Sequence, residues 1–176
     1  SNLVNDGADI PSDLYFKTTR DGGSGPLERL RIDYDGAIWH KHGNYGRYQW
    51  TRNVSFSAGQ TQNLKFHLNG SNVYGQVRVT ISGDYSSVNV NGSFEKAWGW
   101  GYNSSNTSNY GGGGAGTTMF DAGSTSNVMS FGSMDKINNT TVKIPITNNN
   151  GSYTVTCHIH VEITGELAGL GYTSIS

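Results

Sequence analysis

The sequence predicts an all-β protein: a β-sandwich or jelly-roll-like head behind a short N-terminal β-hairpin shaft segment. Three observations lead there. Apolar and polar residues alternate along most of residues 47–164, and a period of two marks strands with one buried and one wet face. Clusters of Asn, Gly and Ser separate these runs, as in "NGSN" at 69–72, "SGD" at 82–84 and "NNNGS" at 148–152, and such clusters form turns. Only 34% of the chain is hydrophobic and 14% is charged, with 25 glycines. Polarity drawn from Asn, Ser, Thr and Gly suits strands and turns and is poor in helix formers.

The elements follow in order. "DLYFKTT" at 13–19 and "LERLRIDY" at 27–34 read as short strands flanking the loop "RDGGSG". Asp35-Gly36 is a two-residue hairpin signal, and with that turn Ile32 faces Trp39. Tyr48, Trp50, Val54 and Phe56 share one parity, as do Leu64, Phe66 and Leu68, then Val73, Val77, Val79 and Ile81, then Val88, Val90 and Phe94. Val142, Ile144 and Ile146 form a further strand. Pro145 lies in it and cannot donate to a ladder, so this strand belongs at a sheet edge. The last clear strand carries Tyr153, Val155, Cys157, Ile159, Val161 and Ile163 on one side. No amphipathic helix is evident. The division expected is a trimerising hairpin segment at 1–45 and a head at 46–176.

Composition also excludes several functions. The net charge is −1, which leaves no electrostatic footprint for nucleic acid. No apolar run approaches the length of a membrane span, so insertion is not expected. The single cysteine, Cys157, rules out an internal disulfide and sits on the apolar parity of its strand, where a buried thiol belongs.

"ERLRIDYDGAIW" at 28–39, with "DLYFKTTRDGG" before it, resembles the hairpin that recurs in bacteriophage tail fibres and tailspikes ahead of a C-terminal knob. The resemblance implies a homotrimer on the virion, extracellular, with a β-rich tip that attaches to a host-surface polysaccharide or protein. Trimerisation would let thin hairpins with few apolar residues bury them against each other.

Two groups of residues carry chemistry. "AWGWGYNSSNTSNYGGGGAG" at 97–116 sets Trp98, Trp100, Tyr102 and Tyr110 among glycines and amides. Flat rings offer apolar faces to sugars, and amides offer hydrogen bonds, so these four are candidate ligand-binding residues. Trp98 and Trp100 also share parity with Phe94, which would place them in the core, leaving Tyr102 and Tyr110 as the exposed pair. The span 99–116 has no strand pattern and is expected to be a long loop. Four of the five histidines form H-x-H pairs, His40/His42 and His158/His160. On a strand, i and i+2 share a face. Pairs from three chains on a trimer axis would supply an octahedral set for Fe, Ni or Zn; the alternative is a wet strand face.

Asp33 and Asp35 are accounted for by the hairpin turn. No nucleophile arrangement is visible, and acids are few. The function expected is non-catalytic attachment of a viral tail fibre tip to a glycan. The alternatives are a secreted monomeric carbohydrate-binding module and a tailspike-like glycan hydrolase.

Overall fold

The computed structural model describes residues 12–19, 21–69, 72–85, 90–103, 106–112 and 114–176. They are nearly all β. In chain order the strands are β1 (Leu14–Thr18), β2 (Leu27–Ile32), β3 (Ile38–His42), β4 (Tyr45–Phe56), β5 (Thr61–Leu68), β6 (Val73–Tyr85), β7 (Val90–Asn103), β8 (Asn106–Gly112) and β9 (Thr117–Gly123). After one helical turn, α1 (Thr125–Val128), come β10 (Met129–Phe131), β11 (Asp135–Asn138), β12 (Thr141–Asn148), β13 (Val155–Glu166) and β14 (Leu170–Ile175). Among the described residues no helix is long and apolar enough to cross a membrane.

Two antiparallel sheets result. The larger runs β1-β2-β3-β4-β13-β6-β7-β8, with β9 also on β7; the smaller runs β10-β12-β5-β14, with β11 also on β12. The chain passes repeatedly from one sheet to the other, at β4–β5, β5–β6, β9–β10, β12–β13 and β13–β14. The buried residues of both sheets form a single hydrophobic cluster. The alternation read from the sequence explains why. Tyr48, Trp50 and Phe56, then Val77, Val79 and Ile81, then Cys157, Ile159, Val161 and Ile163 point inward from the larger sheet, and Leu64, Phe66, Val142, Ile144 and Ile146 from the smaller. Burial pushes the Cys157 thiol up to about 11, so it is a core residue with little thiolate. Val88 lies outside the described residues.

Four expectations change. The turn after β2 has three residues. Asp33 N–H donates to Ala37 O (3.0 Å) and Gly36 N–H to Asp33 O (2.9 Å), and Gly36 takes φ +86°. A tight turn closed by a left-handed glycine is the usual three-residue hairpin. Ile32 therefore faces Ile38, and Arg31 faces Trp39, one residue away from the two-residue register.

The residues before 45 also continue the larger sheet. β3 pairs β4 from Ile38↔Gln49 to His42↔Tyr45, and Ala37 and Trp39 belong to the common core. The sheet thus runs unbroken across the 45/46 boundary.

Pro145 does not mark a bare edge. Asn63, opposite Pro145, spends both backbone groups on Ser176, so the nitrogen of Pro145 points away from β5. On that side β10 pairs with residues 146–148 and β11 with 141–143, leaving a gap at Pro145 where no donor is needed. The carbonyl of Pro145 itself still accepts from Gly132 N–H (2.8 Å).

Finally, 99–116 is not a long loop. β7 runs on to Asn103, and β8 returns beside it with Tyr102↔Tyr110 and Trp100↔Gly112 in register. The short strands β8, β9, β11 and β14 are rich in glycine or polar residues and had no apolar period to reveal them, and β10 has only three residues.

Two substitutions test this packing. Trp98 is 2% exposed, and its indole N–H donates to Gly114 O (3.1 Å). Trp98→Ala should cost about 3–5 kcal/mol in denaturant unfolding. Gly116 has φ +70°, and a Cβ there would run into the Trp98 ring, so Gly116→Ala should also destabilise. Wild-type midpoints for both variants would overturn the packing described.

Candidate functional site

Strand continuation places the aromatic segment in the core. Trp98, Trp100 and Tyr102 take alternate positions on β7 with Phe94, on the face that meets the smaller sheet; they are 2%, 4% and 4% exposed. Trp100 meets Phe66 edge-on at 5.4 Å, and Trp98 meets Phe131 at 5.4 Å. Rings covered this way offer no face for a sugar to stack on, so these three pack the core, and Tyr102 is corrected from exposed to buried. Tyr110 pairs with Tyr102 through the backbone; its side chain lies outside the described residues.

The histidines lie on the opposite, outer face of the larger sheet. His40 and His42 are exposed on β3, with Arg47 directly opposite His40 and Arg29 beside them on β2. Two guanidiniums at this place oppose a metal cation. His158 is exposed, and His160 Nδ1 shares a hydrogen bond with Thr51 Oγ1 (3.0 Å). Among the described residues no group of three or more His, Cys, Asp or Glu side chains converges as a metal site. Along the centre of this face runs an alternating charge row. Arg47 meets Glu162 (3.5 Å), Glu162 meets Arg78 (3.8 Å), and Arg78 meets Glu95 (2.6 Å). Burial opposes the charge on Glu95, but Arg78 and the Thr80 hydroxyl hold it below the usual carboxylate range.

Another recess lies elsewhere. A groove of about 500 Å³ runs between the turn after β2, the second half of β4 and the edge strand β14. Tyr34, 68% exposed, and Tyr172, 52% exposed, both line it. Tyr172 is held by stacking on His67, with centroids 4.1 Å apart and planes 13° apart. Asn53, Ser55, Gln62 and Ser174 line the walls. The Ser174 hydroxyl bonds His67 Nε2 (2.9 Å), and Gln62 donates to Ser55 O (2.8 Å). Thr173 is buried in the lining, and its hydroxyl approaches that of Tyr48, yet neither makes a hydrogen bond of good geometry.

A carboxyl pair flanks Tyr34. Asp35 accepts from the Trp50 indole (3.3 Å) and from Arg52 (3.3 Å). Asp33 accepts from the Trp39 indole (3.2 Å), and both acids accept from Ala37 N–H, at 2.8 and 3.3 Å. Burial first, then the hydrogen bond and charge of Asp35, push Asp33 from its ordinary 3.8 up to about 6. Burial works against the charge of Asp35 too, but the Asp33 hydrogen bond, Ala37 N–H, Arg52 and Trp50 hold it lower than usual. One acid thus keeps its proton into the mildly acidic range while its neighbour is ionised.

Sequence reasoning assigned the two acids to the turn alone and missed the groove. The turn role is real, but the partners Trp50 and Arg52 come from another strand. The one available signal was the Asp-x-Asp spacing, which puts two carboxyls on one side of a tight turn. Compared with protein-family models, curated proteins and solved structures, the chain matches none.

The pair makes a pH prediction. The folded protein holds the Asp33 proton more tightly than the unfolded chain, so through this group stability falls as pH rises from 3.8 to about 6. Asp35 acts in the opposite sense and only at lower pH, losing its stabilisation as the pH falls through its folded value. Asp33→Asn should remove the downward trend, read as the wild-type-minus-variant difference in urea midpoints across that window. A constant difference would contradict the assignment.

Proposed function

We propose that this chain is the receptor-binding head of a viral (phage) tail fibre, extracellular on the virion, which attaches to a host-surface glycan without cleaving it and works as a homotrimer. In this reading the two sheets are a β-sandwich head. The groove carries the proposal. Two exposed rings, Tyr34 and Tyr172, line it together with amide and hydroxyl groups, one ionised acid and one arginine. Aromatic faces with neutral donors and acceptors beside them suit a sugar chain better than a charged or wholly apolar ligand. The site is shallow and open, so single affinities would be low, and several copies per particle would raise them through effective concentration.

Hydrolysis is the weaker reading. A glycosidase places its two carboxyls about 5–9.5 Å apart, across the scissile bond, whereas Asp33 and Asp35 accept from the same Ala37 N–H and influence each other's charge.

Trimerisation is supported by the outer face of the first strands. Leu14 faces Ile32, Phe16 faces Leu30, and Ile32 faces Ile38. Leu14, Phe16, Leu27 and Ile32 are all exposed. An apolar patch on an edge strand invites association with further copies.

Two experiments test the proposal. On a glycan array probed with a multimerised chain, Tyr34→Ala with Tyr172→Ala should lower retention about tenfold or more, with little change in melting because both rings are exposed. Retained binding would remove the groove from the account. Sedimentation should give a trimer that Phe16→Asp with Ile32→Asp converts to monomer. A wild-type monomer that still binds glycan would favour a monomeric carbohydrate-binding module.

A further inference from the structure

The outer face of the larger sheet holds a second recess, far along the same hairpin from the groove. β2, β3, β4 and β13 border an open hollow of about 670 Å³ lined by Arg29, His40, Lys41, His42, Arg47 and Thr164. The register explains the convergence. His40 stands between Leu30 and Arg47, and His42 is opposite Tyr45. At Phe16/Lys17 the pairing of β1 with β2 shifts, so that Lys17 faces Glu28 and Arg29 is left without an opposite. The irregularity turns Glu28 to the inner side, where it meets Lys41 (3.1 Å) and Arg31 (3.9 Å).

The acid that would otherwise neutralise this patch is thereby removed from it. Arg29 spends only its Nε, on Thr18 Oγ1 (3.0 Å), which leaves the outer guanidinium nitrogens open. Arg47 meets Glu162 at 3.5 Å, but Glu162 is shared with Arg78 and Gln49. Glu166, the other acid of β13 on this face, is buried next to the paired hydroxyls of Tyr45 and Tyr74. Two guanidiniums and two exposed imidazoles therefore face one hollow, and among the described residues its lining contains no acid.

We propose that this hollow is an anion site for a phosphate group, of the kind carried as a monoester on cell-surface saccharides. Guanidinium forks bind phosphate oxygens in pairs, and imidazole N–H groups and the Thr164 hydroxyl add donors from the opposite wall. A site of this kind would give the head a charged contact separate from the neutral groove. It stands on its own lining residues and does not require the groove reading.

The test follows the His40 and His42 ring resonances by NMR as inorganic phosphate, glucose phosphate or unphosphorylated glucose is added at constant ionic strength. Phosphate and glucose phosphate should shift both rings and saturate, while glucose and matching chloride should not. Arg29→Gln with Arg47→Gln should weaken the phosphate affinity about tenfold or more. Because His40 and His42 are exposed, His40→Gln with His42→Gln provides a folded second variant, and calorimetry on it should show the same direction of loss. Equal shifts with chloride, or phosphate affinity unchanged in either variant, would overturn the site. Glycan retention through Tyr34 and Tyr172 should be unaffected by Arg29→Gln with Arg47→Gln, so the failure of one site can be told from the failure of the other.

Discussion

Strand β13 is the constraint on which the rest of the molecule depends. It pairs with β4 along its whole length and with β6 along most of it. Val155, Cys157, Ile159, Val161 and Ile163 are all buried on its inner side. A strand in that position cannot slip by one residue, because every buried side chain would move to the wet face and every polar one to the core. Its outer side shows the same rule from the other direction. Glu162 is the carboxylate on which Arg47, Arg78 and Gln49 meet, so the charge row across the sheet keeps the register that the core sets.

The N-terminal strands inherit that register. β4 holds β3, β3 holds β2, and β2 holds β1, each with less core beneath it than the last. Trp39 is buried under Arg31 and Lys41, which lie over its ring at 4.4 and 4.8 Å, whereas every residue of β1 is exposed. The sheet thus grades from a packed centre to an edge whose apolar side chains are exposed. The shifted pairing between β1 and β2 sits at this outer margin, where β1 is only lightly held, and it decides which face receives Glu28 and which receives Arg29.

The groove depends on the chain's passages between the sheets. Its walls come from the turn near residue 34, the β4 segment at 50–55 and the β14 segment at 172–175. β14 is an edge strand of the smaller sheet, so its outer backbone and side chains face the larger sheet's margin and not another strand. The carboxyl pair is drawn into this margin by Trp39 and Trp50, whose buried rings bring their N–H groups to the turn. Two tryptophans that fill the core thereby also fix the acids at its rim.

Periodicity alone was enough to mark β4, β5, β6, β12 and β13 and their inner faces, because most of the apolar side chains of one parity enter one continuous core. It also carried the alternative for Trp98 and Trp100 that burial bears out, since parity with Phe94 continued through the glycines. Turn length was not legible: Asp33, Tyr34, Asp35 and Gly36 can close a two- or a three-residue loop, and only the pairing of Ile38 with both Ile32 and Gln49 chooses. Tyr102 shares that parity with Phe94 as well, and only the reading of the residues from 99 on as a loop misplaces it; β8, which pairs with it, has no apolar period and is held by backbone pairing. The groove was beyond reach for a plainer reason. Tyr34, Arg52, Gln62 and Tyr172 are distant in sequence and unremarkable one by one. They become neighbours only because β14 lies against β5 while β4 lies against β13, an adjacency that long-range pairing determines and local pattern does not encode.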